Sequence, residues 1–412
     1  MLGAIAGDVV GSTREFSPIK TKVFDLLVDD SHMTDDTVLT IAVGMAIAGG
    51  LDIAGTLRSY SQRHVVSYGM AYWLWVRDPS MGPYHSWANG GAMRVSSTAW
   101  LASDTGEVLR LARWSAEPTH DHPEAVRAAV AVALAIHLAR AGWEADRVAE
   151  AVSKFSGYDL LKRVQKHRDE AEFECKAWIS VPRAIACALQ STSFEDALRN
   201  AVSLGGDADT EAAIAGAIAE PLHGIEREFE ARILGRLPED LQRDLATLRA
   251  RSVVARPNSL VLKDLKPWDP DCVRRWQSAF DRARPAFPPE LEPAPEKLVG
   301  WWGSRLGRLV GKRPPIAVPT VPASVREGRE ALRVFKQVKD SYGCREMAVR
   351  EAGRSVLPMG TEVEQLAALL NRVAALDASD GDAAAGDLRK AVAEYAETEM
   401  LDLGVFAVPS DS

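Results

Sequence analysis

Two short acidic stretches in this chain of 412 residues carry more carboxylates than their local structure needs. Thr34-Asp35-Asp36-Thr37 stands directly before an apolar run that begins at Val38. Gly205-Gly206-Asp207-Ala208-Asp209-Thr210 stands directly before an Ala- and Gly-rich run that begins at Glu211. A single Asp or Thr at such a place is explained by capping, because its oxygen accepts from free backbone amides at the positive end of a helix. One cap uses one side chain, whereas each stretch offers two carboxylates and a hydroxyl. These are hard oxygen ligands suited to magnesium, calcium or manganese, and no Cys or His pair accompanies them as a zinc site would require. If the two starts converge, four carboxylates repel one another and titrate upward unless cations neutralise them. A pair of divalent cations is the simplest resolution. Periodicity alone does not bring the stretches together.

The elements that must position these acids read as helices. Residues 38–48 and 125–139 are almost entirely apolar, too long for strands, and therefore predict helices buried on most faces. Residues 211–219 consist mainly of Ala, Gly and Ile, so a helix there can approach a neighbour closely. From residue 1 to 250 such runs alternate with Gly, Pro, Asp and Ser clusters, the pattern of a helical domain. Over residues 251–322 prolines crowd in, above all between Pro285 and Pro322, and long helices are not expected, since proline removes an amide donor and clashes with the preceding turn. We read this part as a linker or wrapping segment. Residues 323–412 recover helical periodicity and predict a small helical C-terminal domain. There is no internal repeat.

Composition narrows the function classes. The net charge of -8 gives no general attraction to phosphate backbones, so nucleic acid is not the expected partner. Cys175, Cys187, Cys272 and Cys344 are far apart and form no zinc spacing, and they read as buried thiols in a reducing compartment. The first residues lack a basic n-region, and no apolar run approaches the roughly 20 residues needed to span a bilayer. A cytoplasmic location is expected. Lys297 to Arg313 mixes basic and apolar residues at helical spacing, and we read Trp301 and Trp302 as packing residues rather than membrane anchors. Trp73, Trp75, Trp87 and Trp100 flank a Gly-containing loop, and of these only Trp87 is assigned a ligand role.

Five segments, in order, resemble the ADP-ribosylglycohydrolases, the family that includes the dinitrogenase reductase-activating glycohydrolase. They are the run from Gly3 to Ser12, then Thr34-Asp35-Asp36-Thr37, then Asn89-Gly90-Gly91-Ala92-Met93-Arg94, then Thr119-His120-Asp121-His122-Pro123, then Gly205 to Thr210. The resemblance covers about residues 1–245. It implies a compact all-α orthogonal bundle, here with a helical C-terminal extension, holding two divalent cations, Mg2+ or Mn2+.

By that resemblance the metal ligands are Thr34, Asp35, Asp36, Asp207, Asp209 and Thr210. Ser86, Trp87, Asn89, Gly90 and Gly91 look like the loop that grips the diphosphate and ribose, its glycines letting backbone amides approach the phosphates. Met93, Arg94 and His120 complete the substrate-binding set. A buried structural role for Arg94 and a helix-capping role for His120 stay open. Asp36, Glu15 and Asp209 are the candidate catalytic groups, with Glu15 resembling an acid placed over the scissile bond. The implied reaction is hydrolysis of ADP-ribose from a modified target, with ADP-ribosyl-arginine on protein the first expectation. Serine-linked, nucleic-acid-linked and O-acetyl forms, a non-catalytic ADP-ribose-binding protein, and a metal-dependent phosphohydrolase are the alternatives.

Overall fold

The computed structural model describes residues 1–258, 262–263 and 266–283, and in these residues the only strand-like pairings are single bridges, Ala88 with Lys176 and Asp104 with Arg256. The helices are α1 (Leu2–Gly11), α2 (Asp35–Gly49), α3 (Ile53–Arg63), α4 (Met70–Arg77), α5 (Gly90–Met93), α6 (Ser96–Leu101), α7 (Thr105–Ala116) and α8 (Pro123–Arg140). They continue as α9 (Ala145–Ser156), α10 (Val164–Glu170), α11 (Ala177–Leu189), α12 (Phe194–Val202), α13 (Ala208–His223), α14 (Arg227–Leu234), α15 (Glu239–Ala250) and α16 (Asp271–Ala283). The all-α expectation therefore holds for the described part, and Met1–Ala283 forms one compact unit.

The three apolar runs are the three helices α2, α8 and α13. Two of them, α2 and α8, begin at a residue that marks a helix start. Thr34 is extended and accepts from the Asp36 amide at 3.3 Å, while Pro123 opens α8, where its missing N–H leaves no donor unsatisfied. Gly50 ends α2 in the left-handed conformation that favours glycine, at φ 60°. α8 and α13 are buried over most of their surfaces, and α13 packs against α1, α8, α11 and α12.

The α1–α13 crossing sets where the acids sit. Gly3, Gly7 and Gly11 lie one helical turn apart on α1 and face the α13 backbone. A methyl carbon added at Gly7 would lie 1.9 Å from the Ala212 carbonyl oxygen, well inside contact distance. We expect Gly7→Ala to destabilise the protein by about 3 kcal/mol, because the helices must separate to admit the methyl group. Thermal or urea unfolding checks this, and an unchanged midpoint would contradict the close crossing.

The first part of the Pro-rich segment differs from the sequence reading. Residues 271–283 are helical, because the helix fits between Pro270, which immediately precedes it, and Pro285, which follows it. Proline is tolerated at a helix start and just beyond its end, and only an interior proline would have broken this helix. α16 packs against α8. The rest of the linker expectation, the 323–412 domain, the stretch from Lys297 to Arg313 and Cys344 lie outside the described residues. Cys187 is buried as expected, whereas Cys175 and Cys272 are only half-buried, and these three described cysteines are free thiols. No helix of the described residues is long and apolar enough to cross a membrane.

Candidate metal centre

The two acidic stretches meet. α1 brings Asp8, the start of α2 brings Asp36 and the start of α13 brings Asp209, and one carboxylate oxygen from each lies within 4.8 Å of the others. A second group on the same spacing joins Asp209 to Asp207 and Glu15, the latter from the loop that follows α1. Asp209 belongs to both groups, so it stands between two neighbouring oxygen clusters. Thr210 Oγ1 donates to Asp36 Oδ2 at 3.3 Å, which ties the start of α13 to the start of α2.

Asp8 is the anchor of this arrangement. Its carboxylate accepts from the Thr34 amide at 2.9 Å, from Thr34 Oγ1 at 2.8 Å, from the Thr37 amide at 3.1 Å and from Thr37 Oγ1. An aspartate inside the otherwise apolar α1 thus organises the whole turn that presents Asp35 and Asp36. Sequence reasoning did not nominate it. The available signal was the cost of burying one carboxylate in an apolar helix, which demands partners.

The centre is buried and electrostatically loaded. Burial, and then the charge of Asp209, push the Asp8 carboxyl up to about 6. Burial together with the charges of Asp209, Asp8, Asp35 and Asp207 raises Asp36 well above the usual carboxylate range. Burial and Asp209 likewise raise Asp207. Asp36 Oδ1 is fully buried and has no hydrogen-bond partner in the protein. Clustered carboxylate oxygens, mutual repulsion and an orphaned buried acceptor together fit a site for hard divalent cations, since a cation would satisfy the acceptor and remove the repulsion.

Behind the acids lies a buried ion pair that the sequence reading also missed. Arg183 Nε donates to Glu211 Oε1, and both side chains are enclosed. Burial pushes the Glu211 carboxyl up to about 7 even with the Arg183 guanidinium beside it. Glu211 follows Asp209 by two residues on α13, so the pair holds the first turn of that helix against α11.

The loop of residues 86–91 packs directly on the acidic centre. Asn89 Nδ2 donates to Asp207 Oδ2 at 2.7 Å, and the Asn89 amide is held by the Cys175 carbonyl at 2.9 Å. The Ser86 amide bonds the Thr119 carbonyl at 3.1 Å, while the Trp87 carbonyl accepts from the Ala177 amide. Trp87 is 42% exposed, whereas Trp73 and Trp75 are core residues and Trp100 lies beneath the Arg140 guanidinium. A methyl carbon on Gly90 would stand 2.8 Å from His120 Nε2, and one on Gly91 would stand 3.2 Å from the Cβ atoms of Ala116 and His120, so the glycines allow the loop to lie against the histidine.

The remaining predicted site residues fall into two sets. Met93 is buried beside the centre, its sulfur 3.8 Å from Thr210 Oγ1. His120 is buried, shares a hydrogen bond between its Nδ1 and Thr119 Oγ1, and is held well below the usual histidine range by burial and by the Arg94 charge, so it is neutral. The cap of α8 is His122, not His120, its ring accepting from the Glu124 amide. Arg94 is fully buried and donates to Ser115 O, Thr119 Oγ1 and Ala116 O, so its hydrogen bonds brace the turn that carries His120. Asp35 is half-buried and belongs to neither close carboxylate group, and Thr34 spends its hydroxyl on Asp8.

Comparison with known proteins identifies the family. The ADP-ribosylglycohydrolase family model matches residues 1–261. The chain is 30% identical to ADP-ribosylhydrolase ARH3 of Homo sapiens, over 35% of this chain and 53% of that protein. It is 31% identical to ARH3 of Mus musculus, over 35% of this chain and 52% of that protein. It spans about half the length of the curated relatives it matches. A solved structure described as an ADP-ribosylglycohydrolase-related protein complex is 25% identical, with a TM-score of 0.46, over 61% of this chain and 97% of that one. Matched by the family model over more than half its length, the chain belongs to the ADP-ribosylglycohydrolase family.

Proposed function

We propose that this protein hydrolyses the glycosidic bond between ADP-ribose and a modified target, and that two divalent cations, magnesium or manganese, are required. The observation that carries this reading is the convergence of Asp8, Asp36 and Asp209 with Glu15 and Asp207 beneath a glycine loop. Asp36, Asp207 and Asp209, with Asp8 and Glu15 completing the two groups, are the residues that would hold the cations. When bound there, divalent cations supply Lewis-acid polarisation of sugar oxygens and neutralise the acids.

The chain's own groups account for the rest of the chemistry. Departure of the target from the anomeric carbon leaves positive charge on the ribose, as in glycoside hydrolysis generally. The buried carboxylates supply compensating negative charge beside it, in surroundings that screen little. Glu15 is half-buried on a loop at the rim, where it can exchange a proton with water or the leaving group, and Asp36 is the second candidate for that role. Asn89 fixes Asp207 through its amide and also terminates the phosphate-gripping loop, so ligand position and acid position are set together. The exposed face of Trp87 offers a flat apolar surface beside the loop.

Arginine-linked ADP-ribose on protein is the substrate to test first. The experiment incubates the protein with ADP-ribosylated arginine, serine, O-acetyl and nucleotide substrates and follows free ADP-ribose by chromatography. Release from the arginine conjugate is the expected outcome. Release from another conjugate alone would redirect the linkage, and binding without release from any would identify a non-catalytic reader. Inorganic phosphate as the product would indicate a phosphohydrolase instead.

Because Asn89 orients a carboxylate rather than a bare surface, Asn89→Ala should raise the metal concentration for half-maximal activity by about tenfold. A titration of activity against manganese checks this, and an unchanged midpoint would show that Asp207 does not depend on the loop.

A further inference from the structure

An arc of aromatic rings starts and ends on the loop of residues 85–91, and one of its members, Trp276, comes from outside the family-matched residues. His85 contacts Trp276 of α16, with ring centroids 5.5 Å apart at 73°. Trp276 contacts His122 at 4.9 Å and 63°. His122 lies 6.2 Å from Trp178, which lies 6.0 Å from Trp87. His85 and Trp87 are two residues apart on the loop that ends at Asn89 and Gly90. Trp276 lies beyond residue 261, where the family model's match stops.

The loop needs such a brace. His85 has φ 61°, the left-handed region, and is the non-glycine residue of the described chain found there. A histidine in that conformation costs of order 1 kcal/mol and persists only when its surroundings hold it. Two contacts do so. Its Nδ1 donates to the Asp121 carboxylate, at 2.8 Å from Oδ2, and the Trp276 ring packs against its ring in a T-shaped arrangement. His122 is itself fixed, because its Nδ1 accepts from the Glu124 amide at the start of α8. Trp276 therefore bridges the loop to the rigid end of α8.

We propose that Trp276 is a positioning residue for the ligand loop, acting through His85 and His122, so that a helix outside the family domain tunes the affinity for the ADP-ribosyl group. The ligand part of this inference rests on the function proposed above. α16 is a strap across the 119–122 turn, and its role is to keep His85 strained and the 86–91 backbone in register with Asp207. Removing the indole lets His85 relax, and the loop then populates other conformations before ligand binds.

The test uses the full chain and the variants Trp276→Ala and Trp276→Phe, with Arg274→Ala as a surface control on the same helix. Calorimetric binding of free ADP-ribose with manganese present, steady-state kinetics on the active conjugate, amide hydrogen exchange of residues 84–91, and the unfolding midpoint are read in parallel. Trp276→Ala is expected to weaken ADP-ribose binding and raise KM by about tenfold with kcat within about twofold, from the loss of two aromatic contacts. Exchange of the 84–91 amides should quicken, and Trp276→Phe should recover most of each effect. Unchanged exchange in Trp276→Ala overturns the proposal. So does a loss of kcat and midpoint together with no change in KM, which is the signature of a merely structural helix. If the wild-type chain does not bind ADP-ribose, the proposed function fails, and the exchange comparison still decides whether Trp276 holds the loop.

Discussion

Asp36→Asn lowers the rate of ADP-ribose release by at least about a thousandfold while the protein stays folded. The expectation follows from its position. Asp36 is in the first carboxylate group, has an oxygen with no partner in the protein, and is tied to Thr210 across the α2–α13 junction. Asparagine keeps the shape and a hydrogen bond to Thr210 but removes the charge that a cation and a positively charged ribose both need. The same change relieves repulsion with Asp8 and Asp209, so the variant should be more stable than the wild type when chelator is present. Manganese should stabilise it less than it stabilises the wild type. Chromatography of product, far-ultraviolet circular dichroism and unfolding midpoints with and without metal check the three parts. Wild-type turnover in metal-replete buffer would remove Asp36 from the chemistry.

Arg183→Met is the largest expected loss of stability, about 3–5 kcal/mol, because it leaves Glu211 buried without its partner. The loss should depend on pH in a defined direction. Glu211 in the folded protein is raised to about 7 against an ordinary value of 4.5, so the folded state holds its proton more tightly than the unfolded state does. A carboxyl raised on folding makes stability fall as pH increases from the unfolded value through the folded one. Without Arg183 the folded value rises further. The cost of the substitution should therefore be small at about pH 5, where the carboxyl is neutral in both folded proteins, should be larger at about pH 8, and should reach its full size only above the raised folded value of the variant. The double variant Arg183→Met with Glu211→Leu should recover most of the stability, since a well-packed apolar pair can replace a buried ion pair. Urea unfolding at the two pH values, run as a double-mutant cycle, measures this. Equal cost at both pH values would show that Glu211 stays ionised regardless of its partner.

The sequence made α2, α8 and α13 legible because each is a long apolar run bounded by Asp, Thr, Pro or Gly. Their composition and their stop signals agree, so propensity, burial and capping point the same way. The surplus of carboxylates at two helix starts was legible for the same reason, as an excess over what capping uses. That these starts meet was not legible, because it depends on a crossing of α1 and α13 made close by glycines far apart in the chain. The resemblance to a family supplied that step in place of periodicity.

Other parts were hidden by physical ambiguity. Asp8 sits in a run that reads as core, and only the tertiary hydrogen bonds from Thr34 and Thr37 reveal why a carboxylate belongs there. Arg94 stands inside a ligand motif, yet its guanidinium serves the backbone of the 115–119 turn. His120 and His122 are two residues apart beside the same proline, and only geometry separates the buried neutral histidine from the cap. α16 was masked by proline density, which counts residues without asking whether they fall inside a helix or at its ends.

Two neighbouring oxygen clusters that share Asp209 make a quantitative claim about cations. Calorimetric titration of the metal-free chain with manganese at neutral pH tests it most directly. The account predicts two ions bound per chain, with at least one of them lost in the Asp36→Asn variant. Binding of no ion, or uptake that is identical in wild type and variant, would contradict it.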